Sequence, residues 1–265
     1  MDSFDWVDHY LSELGAAASL EARFQLYGEY IKQLGFDGAT YIFAPRIQYE
    51  IMPHLPGIFL YTESYPLDFL DHYRRDRLDR QDFTIRKVLN GETASMDWRE
   101  HELSGELSAA EVSLIQLARE NYGIRNAISI PTMLDARGAA GVSIISSKAD
   151  GDFQQLKQEK MTRLVGITRL FHASNSLDSD WSLHFTLSVF KSLSATEMSI
   201  LNYKATGKPL KNINDYLDVK YSYATNVVST LLKKLGNTNS DQLMYLFGLL
   251  NSLNNLPPKK PPESM

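Results

Sequence analysis

Cysteine is absent from this chain of 265 residues. That absence excludes a disulfide framework, a thiolate zinc site, an iron–sulfur cluster and a cysteine nucleophile. Basic charge is also scarce. The chain carries 27 Lys and Arg against 32 Asp and Glu, a net charge of −5, so the field of the whole chain repels phosphate and any nucleic-acid contact needs a local basic patch. No stretch approaches the ~20 consecutive apolar residues of a membrane-spanning helix. The opening residues MDSFDWVDHY are acidic, where a signal peptide is basic, and a cytoplasmic protein with no membrane partner is expected. The histidines, His9, His54, His72, His101, His172 and His184, show no metal-ligand spacing, and neither a G-x-S-x-G elbow, a Walker A loop nor a G-x-G-x-x-G turn occurs. Hydrolase, nucleotide-hydrolysing and dinucleotide chemistry therefore lack local support, and neither an enzyme nor a bound cofactor or metal is expected.

What is present reads as two domains, since 43% hydrophobic and 22% charged residues is ordinary globular composition and the length exceeds one minimal core. Apolar residues recur at helical spacing over 4–14 and 19–34, with Gly15 and Gly35 as stops, and strands are predicted at 40–43 and 59–61. Ser108 with Glu111 three residues on is the spacing of a capping box at the head of a helix over 108–121, which Gly123 ends. The β-rich runs 127–133 and 141–146 flank Asp135-Ala136-Arg137-Gly138, a hairpin connection, and read as adjacent central strands. A helix over 152–173 follows. Helices on both sides of a short meander make residues 1–175 an α/β/α sandwich around a central antiparallel sheet. Residues 176–192, rich in Ser and Asp, form the expected linker. Four helical stretches, 197–203, 210–217, 222–235 and 240–250, then suit an all-α helix-turn-helix domain over 193–252. The Pro- and Lys-rich tail 253–265 is expected to be disordered. The fold class is thus α+β.

Two constellations carry chemistry. Tyr65, Phe69 and Tyr73 recur every four residues, which predicts one helix face, and Asp82 and Trp98 lie downstream. Taken alone, this is an aromatic core stripe beside a solvated charge run (Arg74 to Arg80) as readily as a pocket. In the third C-terminal stretch, Val227, Val228, Leu231, Leu232 and Leu235 form an apolar stripe. It leaves Tyr221, Ser222, Tyr223, Thr225, Asn226, Ser229, Thr230 and Lys233 outward, where they can reach phosphates or base edges or simply meet water. From 193 to 250 the charged residues are Lys204, Lys208, Lys211, Lys220, Lys233 and Lys234 against Glu197, Asp215, Asp218 and Asp241, a balance of +2 with no Arg. Without Arg, bidentate contacts to guanine are few and DNA affinity should be modest and salt-sensitive. Leu243, Leu246, Phe247, Leu249 and Leu250 form a further apolar face, either core or a dimer contact.

The run Leu193-Ser194-Ala195-Thr196-Glu197, with Leu201, Gly207-Lys208, Ile213, Leu217, Val219, Lys234-Leu235 and Asn239, resembles the DNA-binding domain of LuxR-type regulators. The resemblance implies a scissor helix near 210–217 and a recognition helix near 221–234 with Lys220 at its entrance, so that Lys220, Tyr221, Ser222, Tyr223, Thr225, Asn226, Thr230, Lys233 and Lys234 are the candidate DNA contacts. Asn212, Tyr223-Ala224, Val227 and Ser240 depart from that family's usual residues. Upstream, Tyr65-Pro66, Tyr73, Asp82 and Trp98, then Gly123, Ser129, Pro131, Gly138 and Gly141, resemble the acyl-homoserine-lactone-binding domain of the same regulators. Phe69 stands at that family's Trp, Phe83 at its Pro and Ala127 at its second Gly. The resemblance implies that Asp82 accepts a ligand amide N–H, that Tyr65 donates to its carbonyl, that Tyr73 and Trp98 are walls, that Thr84 and Ser129 are polar pocket positions, and that Ile144 is an apolar wall. Phe69 has no N–H for a lactone carbonyl. The function implied is a ligand-responsive transcriptional regulator in quorum sensing. It would bind an acyl-homoserine lactone or related apolar signal in the N-terminal domain and DNA as a homodimer through the C-terminal one. The alternative is a DNA-binding-impaired member that sequesters a related regulator as a heterodimer.

Overall fold

The structure, a computed structural model, describes residues 5–45, 58–135, 138–176, 193–234 and 238–253, and the chain divides into two compact units, Met1–Asn175 and Ser176–Met265. The expected linker beyond residue 176, the tail beyond residue 253, most of the proline-containing stretch after Glu50, Leu235 and the Ala136-Arg137 hairpin tip lie outside the described residues.

The first unit runs α1 (Asp5–Ala16), α2 (Leu20–Leu34), β1 (Gly38–Pro45), β2 (Ile58–Tyr61), α3 (Leu67–Arg75), a 3-10 turn (Leu78–Gln81), α4 (Phe83–Leu89), β3 (Met96–Asp97), α5 (Trp98–Ser104), α6 (Ala109–Tyr122), β4 (Asn126–Asp135), β5 (Gly138–Ser146) and α7 (Asp150–Asn175). Local signals set several ends. Ser19 caps α2 by accepting from the Ala22 amide, and Gly35 ends it at φ 103°, a left-handed conformation that costs glycine little. The Ser108–Glu111 capping box heads α6 and Gly123 closes it, as the spacing predicts. Gly15, read as a stop, instead lies in the last turn of α1.

The five strands form one antiparallel sheet in the order β2-β1-β5-β4-β3, with the β4–β5 pair central. Alternation along the strands divides the core into two layers. Tyr41 on β1 meets the Phe171 ring edge-on at 5.8 Å, and its hydroxyl lies 2.9 Å from His172 Nδ1, so this face packs against α7. The Tyr27 hydroxyl of α2 meets Thr168 Oγ1 at 2.9 Å in the same buried layer. Thr40, Ile42, Ser129, Ser143 and Ile145 alternate onto the opposite face, where Phe59, Phe69, Tyr73, Trp98, Leu114 and Ile145 belong to one buried cluster.

In the second unit, α8 (Ala195–Ala205), a 3-10 turn (Leu210–Asp215), α9 (Tyr221–Lys234) and α10 (Ser240–Leu253) follow one another. Ser194 and Glu197 form another capping box. The stretch 210–217, predicted as a helix, is a 3-10 turn. Its Asn212, Asn214 and Asp215 compete for local hydrogen bonds and disfavour a continued α-helix, yet Ile213 is fully buried. Ala224, Val227, Val228 and Leu231 bury one stripe of α9, and Leu243, Leu246 and Phe247 bury the apolar face of α10 within the unit. The side chains of Lys234, Leu249 and Leu250 are outside the described set.

Gly28 of α2 tests the packing of helix on sheet. A Cβ there would sit 2.6 Å from Thr62 Cγ2, and Thr62 cannot turn away freely because its Oγ1 accepts from the Ala39 amide at 3.0 Å. Gly28→Ala should therefore destabilise the first unit by about 1–3 kcal/mol, read as a lowered urea midpoint. An unchanged midpoint would show that this contact yields.

Candidate ligand-binding site

The site grows from the junction between the 3-10 turn and α4. Arg77 adopts φ 54° and its Nε and Nη2 both donate to the buried Asp79 carboxylate at 2.9 Å, a two-point clamp within the segment that leads to Asp82. Asp82 is the N-cap of α4. Its Oδ1 accepts from the Thr84 amide at 2.8 Å and from Thr84 Oγ1 at 2.6 Å, while Oδ2 accepts from the Tyr73 hydroxyl at 2.8 Å. Burial nevertheless holds the Asp82 carboxyl above the usual carboxylate range, the hydrogen bonds from Thr84 and Tyr73 offsetting only part of the desolvation.

Aromatic rings enclose this carboxylate. Tyr73 meets Phe59 edge-on at 5.7 Å and Phe69 at 5.8 Å. Tyr65 is 3% exposed. Burial first, then the nearby Asp82 charge, pushes its phenol pKa upward, so the hydroxyl keeps its proton. Among the described residues that hydroxyl has no hydrogen-bond partner, whereas the Trp98 indole is committed: Nε1 donates to Ser129 Oγ at 2.9 Å, and Ser129 Oγ lies 2.7 Å from Ser143 Oγ directly across the β4–β5 ladder.

Two small cavities meet here, each of about 40 Å³. The first is bounded by Tyr65, Phe69, Tyr73, Asp82, Thr84 and Trp98, with Thr40, Ile42, Phe59, Leu70, Ile85 and Ser143 completing it. The second is more apolar, with Val88, Met96, Ile130, Pro131, Ala139 and Val142 among its walls and Ser129 beside them. Ile42, Thr84, Ile85 and Ser143 border both. Four side chains are thus the partition between a recess that holds the Asp82 carboxylate and a more apolar one.

Six of the seven pocket residues named from the sequence therefore line one cavity, and Ser129 lines its neighbour. Two details differ from expectation. Tyr65 is not on the helix that carries Phe69 and Tyr73, because Pro66 is the N-cap of α3 and a residue before proline is driven out of the helical region. Its ring still reaches the cavity. Ile144 is not a wall. It is fully buried on the other face of the sheet, and Ser143 takes the wall position. The cause is a bulge in β4 between Pro131 and Met133. A regular hairpin closed at Asp135 and Gly138 would set Ser129 opposite Ile144, whereas the extra residue sets it opposite Ser143. The sequence pattern marks Thr40 and Phe59 only as strand residues and does not single out Ile85.

In the second unit, Lys220 just before α9 and Tyr221, Ser222, Tyr223, Thr225, Asn226, Thr230 and Lys233 along it are all exposed, with Thr225 Oγ1 donating back to the Tyr221 carbonyl at 2.9 Å. Among the described residues, no group of three or more His, Asp or Glu is placed to hold a metal ion, and no helix is long and apolar enough to cross a membrane.

The profile of a family described as an autoinducer-binding domain matches residues 19–174. No curated protein sequence matches the chain. Among solved structures, SdiA in complex with octanoyl-rac-glycerol is similar at a TM-score of 0.55 and 18% identity, over 96% of this chain and 98% of that one. A crystal structure of Escherichia coli SdiA is similar at a TM-score of 0.53 and 18% identity, over 95% of this chain and 99% of that one. At such identity the likeness is one of fold.

Asp82 invites a test that separates its charge from its capping role. Since the folded state holds this proton more tightly than the unfolded chain does, the unfolded state binds fewer protons as pH climbs from the ordinary carboxylate range to the raised folded value. Stability contributed by this group is lost across that window and stays lost above it. Asparagine keeps an N-cap acceptor for Thr84. Asp82→Asn should thus be at least as stable as the parent at neutral pH, with a flatter stability profile through the acid window. Urea melts at several pH values check this, and a loss of more than about 2 kcal/mol at neutral pH would mean that the fold itself requires the charge.

Proposed function

The chain belongs to the autoinducer-binding family of LuxR-type quorum-sensing regulators, and on that footing we propose that residues 1–175 enclose an apolar signal molecule while residues 193–252 contact DNA, with 176–192 linking them. The observation that carries the first half is the convergence of Asp82 and the Tyr65 hydroxyl on one small recess that abuts a more apolar one. An acylated guest, an acyl-homoserine lactone or a related signal, needs an acceptor for its N–H or O–H, a donor for its carbonyl and a dry path for its chain. Asp82 and Tyr65 supply the first two. Thr84 holds the Asp82 carboxylate in place, Ser129 orients Trp98, and Phe69, Tyr73 and Trp98 wall the head group. The chain would pass the Thr84–Ile85 partition toward Val88, Met96 and Ile130. Cavities of about 40 Å³ are far below the ~300 Å³ of an ordinary ligand pocket, so binding requires the partition to part and the two to merge. SdiA, whose crystal complex holds octanoyl-rac-glycerol, supports a guest of this build, a polar head on an acyl chain.

The exposed residues at the start of and along α9, Lys220, Tyr221, Ser222, Tyr223, Thr225, Asn226, Thr230 and Lys233, support DNA contact, and the family resemblance adds Lys234 to the proposed contacts. One such unit reads half a site, and pairing of two copies in the cytoplasm completes it. The absence of Arg beyond Arg169 favours a second reading, in which the chain pairs with a related regulator and withholds it from DNA. No catalytic step is part of either reading.

Two measurements test these assignments. Octanoyl-bearing signals at about 100 times their Kd should raise stability by roughly 2.7 kcal/mol, seen as an upward shift in melting temperature, and signal should be recoverable by mass spectrometry from protein expressed in its presence. No shift and no extractable molecule would sink the receptor reading. In gel shifts, a regulator retains one fragment against excess bulk DNA at physiological salt. A sequestering protein retains none but co-purifies with a related receptor.

A further inference from the structure

Ser222, Asn226 and Ser229, the residues of α9 that point directly away from its buried side, include no cation, and from this we infer that each DNA half-site is read through A·T pairs, with Asn226 on an adenine at the centre. The inference rests on the DNA-contact half of the reading above and names the base composition that this surface selects. Successive residues of an α-helix turn by about 100°. Ala224, Val227, Val228 and Leu231 bury one side of α9, and Ser222, Asn226, Ser229 and Lys233 follow one another along the opposite side, all exposed. From Ser222 to Ser229 the helix rises about 10 Å, the length of about three base pairs. Tyr221 and Thr225 flank this stripe on one side, Tyr223 and Thr230 on the other.

The charge of the helix fits a nucleic-acid occupant. No acidic residue occurs in α9, Lys233 and Lys234 lie in its last turn and Lys220 precedes it, a local surplus in a chain of net charge −5. Lys220 and Lys233 stand about 20 Å apart along the axis, so they bracket the stripe and suit the phosphates on either side of a groove. Between them the surface is neutral. Guanine is read chiefly by a cation bidentate to O6 and N7, whereas adenine is read by an amide bidentate to N6 and N7. Arg does not occur beyond Arg169, and Lys233 lies about two turns past Asn226, beyond the N-terminal part of such a helix that meets base edges. The Asn226 amide is exposed and, among the described residues, bonds to no other group. Thr225 Oγ1 spends its proton on the Tyr221 carbonyl at 2.9 Å, which leaves it a methyl group suited to the thymine methyl and a lone pair suited to the adenine amino group. Tyr221 and Tyr223, 51% and 45% exposed, bring hydroxyls to the flanks, where phosphates accept them.

Selection by the full chain from a pool of duplexes with randomised half-sites, at low salt where modest affinity still retains DNA, tests this. Recovered half-sites should carry A·T at about three successive positions, and replacing the central pair by G·C should weaken binding at least about five-fold. Asn226→Ala should remove the preference at that position alone and Asn226→Arg should turn it to G·C, each with an unchanged melting temperature because the side chain is exposed. Lys233→Ala should instead weaken every duplex alike and reduce the salt slope by about 1. Enrichment of G·C at those positions, retention of every duplex alike, or an Asn226→Ala preference identical to the parent's overturns the inference and leaves DNA contact standing. A parent chain that melts cooperatively yet retains no duplex even at low salt brings down the DNA reading and the inference with it.

Discussion

Placing a carboxylate among aromatic rings is costly unless hydrogen bonds replace the water it gives up, and the N-terminal unit is organised around how Asp82 meets that constraint. Its two oxygens hold the first turn of α4 through Thr84 and the end of α3 through Tyr73. One side chain thus ties together two helices that cover the cavity face of the sheet. Desolvation still outweighs these hydrogen bonds and holds the carboxyl above the usual range. A carboxylate facing a recess in this way suits a binding site, because a guest that donates to it adds to the hydrogen bonds that offset its desolvation. The hydroxyl of Tyr65, which bonds to no group among the described residues, lines the same recess with the opposite polarity.

The apolar part of the site depends on the sheet in a different way. Alternation sends Thr40, Ile42, Ser129 and Ser143 to the cavity and Tyr41, Ile128 and Ile144 to the layer of α2 and α7. The helices on that second side interlock tightly, with Phe24, Tyr27 and Phe171 in mutual ring contact. The cavity side is filled by shorter helices and a 3-10 turn. Room for a guest therefore arises where the elements are short, against a wall that the opposite layer keeps rigid.

How much of this was legible in the sequence follows the range of the interactions involved. The Ser108–Glu111 box and the stops at Gly35 and Gly123 act within a few residues, and each stands where its spacing predicts, whereas the Ser194–Glu197 box starts its helix two residues before the predicted stretch. The buried stripe of α9 was readable for the same reason. Tyr65, Phe69, Tyr73, Asp82, Thr84 and Trp98 converge as the motif resemblance implied, although their convergence is a tertiary fact that periodicity alone left open. Pro66 was a visible sign that Tyr65 precedes its helix. Ser143 was out of reach, because nothing local announces a bulge at Thr132, and the 3-10 turn over 210–215 reflects tertiary burial of Ile213 acting on a sequence that disfavours either kind of helix.

That bulge decides which chemistry the wall of the recess carries. Deleting Thr132 would return β4 and β5 to the regular pairing set by Asp135 and Gly138, and Ile144 in place of Ser143 would then stand opposite Ser129. A single backbone residue thus exchanges a hydroxyl for a hydrocarbon without any side chain being substituted.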